Sequence, residues 1–336
     1  MYGKESELVM KAVVIEEFGG VEVLKLKDIE EPKPKPNEVI IAVSKTSLNF
    51  ADIKNRTGKK AKGEFPLILG LDAAGIVVEV GEQVKSISVG QRVIAFPSNG
   101  SYTEYVVADE KLVFPIPDNM DMLTAAACPI VSFLSYALLK YLARIQEGES
   151  VLIHSASGGV GTTAIQLARI FGAKQIFGSV GNIEKAFIAI DAGADEVFTY
   201  ENFVREVKER TDGQGVNVIL DSVGGTVSEQ SMNCLANYGR LIHFGNSSGK
   251  PGTFLTNQVH ASCRSVLGFS LGTTRKERPE YLKHIADSVI RLISKGDLRI
   301  KIGHVFELSE ISNAHALMEN RMHSGKIIIN VNDSIK

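Results

Sequence analysis

The apolar positions of this chain follow two rhythms. Over roughly the first 120 residues, alternating runs such as VIIAVSKTSL (39–48) and QRVIAF (91–96) are separated by Gly, Pro and Asn, a pattern that predicts short β-strands joined by turns. The strand pattern opens at Met10 (MKAVVIEEF), which leaves residues 1–9 as an expected unstructured leader. Three prolines in EEPKPKPNE (30–38) forbid a regular ladder, so a surface loop is expected there inside the β-rich part. Around Ala125 the rhythm changes. LTAAACPIVSFLSYALLKYLARI (123–145) has helical spacing and few breakers.

From Ser150 a strict alternation begins. Strands SVLIHS, QIFGSV, EVFTY, VNVILDSV and RLIHFG alternate with helices VGTTAIQLARIFGA, IEKAFIAIDAGA, NFVREVKERT and VSEQSMNCLA. Right-handed crossovers stack such a βαβ series into one parallel sheet with helices on both faces. After about residue 275 the alternation stops. A charged helix (PEYLKHIADSVIRLISKG) leads into pieces ending in KIIINV, which predicts that the chain returns to its β-rich first domain. A length of 336 residues also fits two domains better than one core.

Composition narrows the function classes. With 44% hydrophobic residues, 23% charged residues and a net charge of −2, there is no electrostatic footprint for nucleic acid or anionic lipid. No apolar run approaches the roughly 20 residues of a membrane span. The cysteines, Cys128, Cys234 and Cys263, share no CxxC-like spacing and read as buried thiols of a cytoplasmic protein.

The sharpest chemical signal is the loop HSASGGVGTT (154–163), between an apolar strand and a helix. In the dinucleotide frame G-x-G-x-x-G its three positions fall on Ala156, Gly158 and Gly161. Gly158 lets the backbone approach a pyrophosphate, Gly161 lets helix and strand pack closely, and the helix start offers free N–H groups. NAD-binding versions place an acid at the end of the second strand. Here that strand ends in GSVGN, with Ser179 at the expected tip and Lys185 shortly after, which favours NADPH over NADH.

GLDAAGIVVEVG (70–81) sets a second question, because Asp72 at a strand mouth suits a metal, a substrate contact or a turn cap. This stretch is followed in order by VGQRVIAF, SYTEYVV, TAAACPI, the SGGVG loop, VILDSVGG, FGNSSG and SGKIIINV. The ordered set resembles the medium-chain dehydrogenase/reductase superfamily, specifically its zinc-free quinone oxidoreductase (zeta-crystallin-like) branch, over residues 10 to 332. The resemblance implies an α/β chain: a GroES-like β-rich catalytic domain (1–131 and 276–336) around a Rossmann doubly wound parallel-sheet domain (132–275). It also implies a homodimer or homotetramer built through the Rossmann domain, with HASCRSVLGFSLG (260–272) as the sheet-extending strand.

Within that resemblance, zinc-dependent members read Gly-His-Glu where this chain has Gly70, Leu71 and Asp72. Their other ligand positions fall near Leu48 and Asn49 and at Ile130, and the seven histidines include no i, i+4 pair, so no metal is expected. The implied active-site loop carries Asn49, as donor to an acceptor oxygen or holder of the nicotinamide ribose, and Asp52, which orients the loop. The implied cofactor residues are Ser157, Gly158, Gly159, Val160 and Gly161 at the pyrophosphate. Ser179, Lys185, Tyr200 and Arg321 fall at the adenosine 2′-phosphate, and Phe244, Gly245 and Asn246 at the nicotinamide. Two departures, Lys54 and Arg56 in place of a tyrosine and Leu134 in place of a threonine, fall near the implied acceptor. The expected activity is NADPH-dependent reduction of a quinone or other conjugated carbonyl. Enoyl-thioester or alkenal reduction is the alternative enzyme, and a non-catalytic NADPH-binding sensor the alternative class. Lys59, Lys60 and Lys62 form a basic cluster that suits a phosphorylated acceptor or a solvated loop.

Overall fold

The computed structural model describes residues 9–60, 64–98 and 100–335, so the expected leader (apart from Val9) and Lys62 lie outside the described residues. The chain divides into two compact units. The first comprises Met1–Ile130, Glu277–Lys295 and Ile300–Lys336; the second comprises Val131–Lys276 and Gly296–Arg299.

The first unit is built on a seven-stranded sheet whose central strand is Glu38–Leu48. It pairs antiparallel with Ala73–Val80, Tyr105–Asp109 and the C-terminal strand Lys326–Asn330. Its sequence alternates, yet every residue except Lys45 is buried. One face packs in a core with Ala73, Val77, Val93 and Val106, while Leu48 belongs to another core with Leu69, Tyr102, Ile327 and Ile329. Polar residues Ser44, Thr46 and Ser47 are therefore enclosed along with the apolar ones, and each needs an internal hydrogen-bond partner. The C-terminal strand reaches this strand from the far end of the sequence, Ile327 pairing with Leu48. A smaller sheet orders Lys25–Glu30, Val9–Ile15 and Leu67–Ile68.

The second unit holds a six-stranded sheet in which neighbouring strands run parallel, in the order Glu196–Thr199, Gln175–Val180, Ser150–His154, Val216–Asp221, Leu235–His243, Ser265–Gly268. The first five are the strands read from the alternation, and the sequence reversal after the third is the doubly wound order. Val151, Leu152, Ile153, Val218, Ile219 and Leu220 are almost fully buried, as expected for strands covered on both faces.

Three expectations need correction. The helix expected through Ala236 ends at Ser231, and the next strand begins at Leu235, because Cys234 and Leu235 are drawn into the sheet core. The helical run from 123 breaks at Cys128 into Met122–Ala127 and Pro129–Tyr136, the latter continuing as a π-helical turn, Ala137–Leu142. Cys128 and Cys234 are buried, but Cys263 is exposed, at a positive φ of 50°.

Candidate active and cofactor-binding sites

In the first unit, strand register assembles a buried polar cluster. Leu48 pairs with Ile327, so the next residues along, Asn49 and Lys326, face each other. Thr46 pairs with Ala73, which sets Ser47 beside Asp72. Asn49 caps the short helix Phe50–Arg56, and its N–H donates to Asp52 Oδ2 at 2.8 Å. The other Asp52 oxygen accepts the Gly70 N–H at 3.2 Å. Gly70 sits at φ +99°, and a Cβ there would collide with Ser101 Oγ. Asp52 therefore ties the helix start to the turn at Gly70.

Lys326 is 4% exposed, and its Nζ donates to Asn49 Oδ1 at 2.7 Å and to Leu48 O at 3.0 Å. Asp72 accepts from Ser47 Oγ at 2.8 Å and from Asn49 Nδ2 at 3.4 Å. One ammonium thus faces two enclosed carboxylates. Burial pushes Asp52 up to about 7, opposed by the Asn49 N–H and reinforced by the Asp72 charge. Burial raises Asp72 as well, against the Lys326 charge, and depresses Lys326 against the pull of both acids. Tyr102, fully buried, faces Asp52 with its hydroxyl out of hydrogen-bond geometry; burial and the two acids hold it well above the usual phenol range.

The Asn49 amide is held unevenly. Its oxygen has a short bond to Lys326, whereas the Nδ2 contacts, to Ser47 O, Ser47 Oγ and Asp72 Oδ2, are 3.3–3.4 Å and weak. The nitrogen is the end able to turn toward another acceptor. Lys326 was missed in the sequence because a lysine opening an apolar strand reads as exposed; its partner lies 277 positions away.

Among the described residues, no group of three or more His, Cys, Asp or Glu side chains gathers as a metal site. Asp72 is enclosed by Ser47 and Asn49, and the neighbouring Leu71 has no donor atom, so this side-chain set does not fit a zinc ion. Arg56, expected near the acceptor, is corrected. It is 1% exposed and turns into its own unit, donating from Nε to Gly19 O and from Nη2 to Glu319, with Nη1 against His315 Nδ1. Lys54, two residues earlier and so on another face of the helix, stays half-buried, with Nζ over the Phe50 ring.

In the second unit, the glycine loop leads into the helix Gly159–Ile170, with Gly158 as its N-cap. The first helical bond runs from Thr162 N–H to Gly158 O at 2.9 Å, so the N–H groups of Gly159, Val160 and Gly161 have no intrahelical acceptor. A Cβ on Gly161 would stand 2.7 Å from Ala156 Cα and closer still to Ser155 O, whereas on Gly158 it would meet only Ser155 O, at 3.3 Å. Gly161 is thus required by the fold, and Gly158 leaves an open approach to the backbone. Ala156, the departure from the glycine frame, is accommodated across the sheet by Gly178, whose added Cβ would lie 2.7 Å from the Ala156 methyl. The free N–H row and the open Gly158 fit a pyrophosphate.

Ser179 is not at the strand tip. It is fully buried, with Oγ 2.6 Å from His154 Nδ1, and Val180 ends the strand before Gly181 and Asn182. Period-2 alternation places it on the Phe177 face, inside the sheet layer. The Tyr200 hydroxyl accepts the Ser155 N–H at 3.2 Å, and its ring lies beside Gly181, so it stands over the glycine loop. Lys185 ends the 3-10 turn Ile183–Lys185 and is half-buried. Ser157, Phe244 and Asn246 are half-buried, and the Phe244 N–H donates to Asp221 O at 2.9 Å. Arg321, at φ 54°, belongs to the first unit. The sequence missed the adjoining polar row: His154 Nε2 lies 2.8 Å from Ser231 Oγ, and His243 Nδ1 2.9 Å from Asp221 Oδ2.

Comparison with known proteins places these sites in a family. The Alcohol dehydrogenase GroES-like domain family matches residues 35–118, and the Zinc-binding dehydrogenase family matches residues 159–287. Quinone oxidoreductase of Pseudomonas aeruginosa is 37% identical over 329 residues, covering 95% of this chain and 99% of that protein. The human quinone oxidoreductase is 33% identical, over 95% and 97%. The structure of Escherichia coli quinone oxidoreductase complexed with NADPH superposes with a TM-score of 0.89 at 30% identity, covering 96% of this chain and all of that one. The chain is an oxidoreductase and belongs to the quinone oxidoreductase branch of the medium-chain dehydrogenase/reductase superfamily.

Proposed function

We propose that this protein transfers hydride from NADPH to a quinone or another conjugated carbonyl, without zinc. The observation that carries this reading is its full-length likeness to a quinone oxidoreductase whose structure contains NADPH, joined to an open glycine cradle in this chain. When bound, NADPH supplies the hydride from its nicotinamide ring. Gly158, Gly159, Val160 and Gly161, with Ser157, receive the pyrophosphate. Lys185, Tyr200 and Arg321 take the 2′-phosphate, and Phe244 and Asn246 border the nicotinamide. Ser179 acts from beneath, through His154. Asn49 turns its weakly held amide N–H to the acceptor oxygen, where negative charge develops, while Lys326 fixes the amide oxygen. Asp52 holds the loop.

In this reading residues 1–131 and 276–336 form the catalytic domain and 132–275 the cofactor domain of a cytoplasmic enzyme. A homodimer or homotetramer forms along Ser265–Gly268, which lies at the sheet edge, only partly buried. The deciding experiment follows NADPH and NADH oxidation with 9,10-phenanthrenequinone and a panel of enones, before and after EDTA dialysis. Steady NADPH turnover unaffected by EDTA is expected. Tight NADPH binding with every acceptor inert, or activity lost with EDTA and restored by zinc, overturns the reading.

A further inference from the structure

Away from the polar cluster, the first unit holds an open surface pocket of about 400 Å³. Its lining includes Phe18 and Val21, the end of the Phe50–Arg56 helix, and Ala316 and Glu319 of the helix Ile311–Glu319. Phe18 is 39% exposed, leans edge-on against Phe65 with ring centroids 4.9 Å apart, and has room because Gly58 carries no Cβ. The wall also carries polar side chains, Thr57, Glu319, Asn320 and the cation Arg56, whose guanidinium the proposed reaction does not use.

Arg56 is a fully buried cation with an unusual arrangement of partners. Gly19 O and His315 Nδ1 are neutral acceptors on the protein side. The neighbouring Arg56 charge, after burial, holds His315 down to about 3, so the imidazole remains neutral. Among the described residues the only carboxylate paired with the guanidinium is Glu319, at 2.6 Å, and its side chain is 35% exposed at the rim. A buried charge whose counter-ion stands at the solvent edge is open to exchange. An incoming carboxylate can take the place of Glu319 at Nη2, and Glu319 returns to water at small cost. Other charges stand around it on both sides: Lys54, depressed by burial and then by the charges of Lys60 and Lys59, gathers three ammonium groups near this helix end, while the Glu22 carboxylate, held by the Gly20 N–H, also feels the Arg56 charge.

We propose that this cavity is a second ligand site, which binds a small carboxylate with an aromatic or branched apolar body. The carboxylate pairs with Arg56, and the apolar body lies against Phe18, Val21 and Ala316. A neutral molecule of the same shape lacks a reason to displace Glu319, and a cation is repelled.

The test uses the full chain with benzoate as probe and benzyl alcohol as its neutral counterpart, read by saturation-transfer NMR titration without cofactor. Benzoate is expected to bind, and benzyl alcohol to give no transfer. Glu319→Gln removes the competing charge and leaves a hydrogen-bonding side chain, so benzoate binds about fivefold tighter, the worth of one partly exposed ion pair. Ala316→Trp fills the cavity and abolishes transfer. The proposal is overturned if Glu319→Gln binds benzoate no tighter, if Ala316→Trp binds it undiminished, or if benzyl alcohol binds as well as benzoate. Glu319→Gln leaves the core intact, so that arm stands even where the tryptophan variant folds poorly.

Discussion

Replacing Lys326 by Met removes the one ammonium that, among the described residues, faces Asp52 and Asp72. The side chain keeps its approximate length and apolar stem, so the enclosed volume changes little. What is lost is the charge, the bond to Asn49 Oδ1 at 2.7 Å and the bond to Leu48 O at 3.0 Å. Breaking a buried ion pair by removing one partner costs about 3–5 kcal/mol, because the remaining charge is left uncompensated. The cost depends on pH with a definite sign. Burial raises Asp52 to about 7 and raises Asp72 as well, so these acids bind protons more tightly in the folded protein than in the unfolded chain. As the pH falls from 7.5 toward 5 the acids take up protons, and the penalty in the variant shrinks by up to about 1.4 kcal/mol per pH unit for each group titrating.

Because the chain has two units, a single unfolding free energy is ill-defined. Hydrogen exchange of peptides covering residues 38–56, corrected for intrinsic rates at each pH, reads the local opening energy instead. Lys326→Met is expected to lower it by about 3–5 kcal/mol at pH 7.5 and by clearly less at pH 5. The double variant with Asp72→Asn is expected to recover about 2 kcal/mol relative to additivity. A loss below about 1 kcal/mol at pH 7.5, or an additive double variant, refutes the charge argument.

Further predictions concern the second unit. Gly158→Ala is expected to fold normally and lose at least tenfold in NADPH affinity, about 1.4 kcal/mol, whereas Gly161→Ala also destabilises the fold by about 1–3 kcal/mol; cofactor titration and thermal melts separate them. If the two variants behave alike, the division of labour read from the loop is wrong. Burial brings His154 down to about 4, against the pull of Asp221, so it stays neutral where the unfolded chain charges. Stability of this unit should therefore fall by about 1.4 kcal/mol per pH unit between 6.5 and 4, and His154→Gln should flatten that slope in melting curves taken across the range. Lys185→Ala and Arg321→Ala are expected to raise KM for NADPH about tenfold each and leave KM for NADH unchanged; equal effects on both cofactors would remove these residues from the 2′-phosphate.

What the sequence disclosed depended on how local each cause was. The parallel-sheet unit was legible because each strand and helix carries its own periodicity, from SVLIHS to RLIHFG. Ser179 was misplaced by counting to the strand end, although the alternation in QIFGSV already set it on the inward side with Phe177. Arg56 was read by its charge alone; helical spacing puts it on the face of Asp52 and Ile53, which turns inward. Lys326 was out of reach, because its environment is made by strand register across the whole chain. The buried Glu38–Leu48 strand was likewise hidden, since its enclosure comes from sheet neighbours distant in sequence.

That register also has a consequence in time. Asn49, Asp52 and Asp72 leave the ribosome early, and the base that offsets the charge of the two acids comes 277 residues after Asn49. At translation rates of about 5–20 residues per second, the delay is roughly 14–55 s. Throughout that interval the nascent first unit has its acids but not its cation, and its central strand has a vacant edge. The second unit, contiguous except for Gly296–Arg299, can close its sheet in the meantime. The order of synthesis thus lets the second unit mature first, and leaves the polar cluster at Asn49 the last part of the protein to be set.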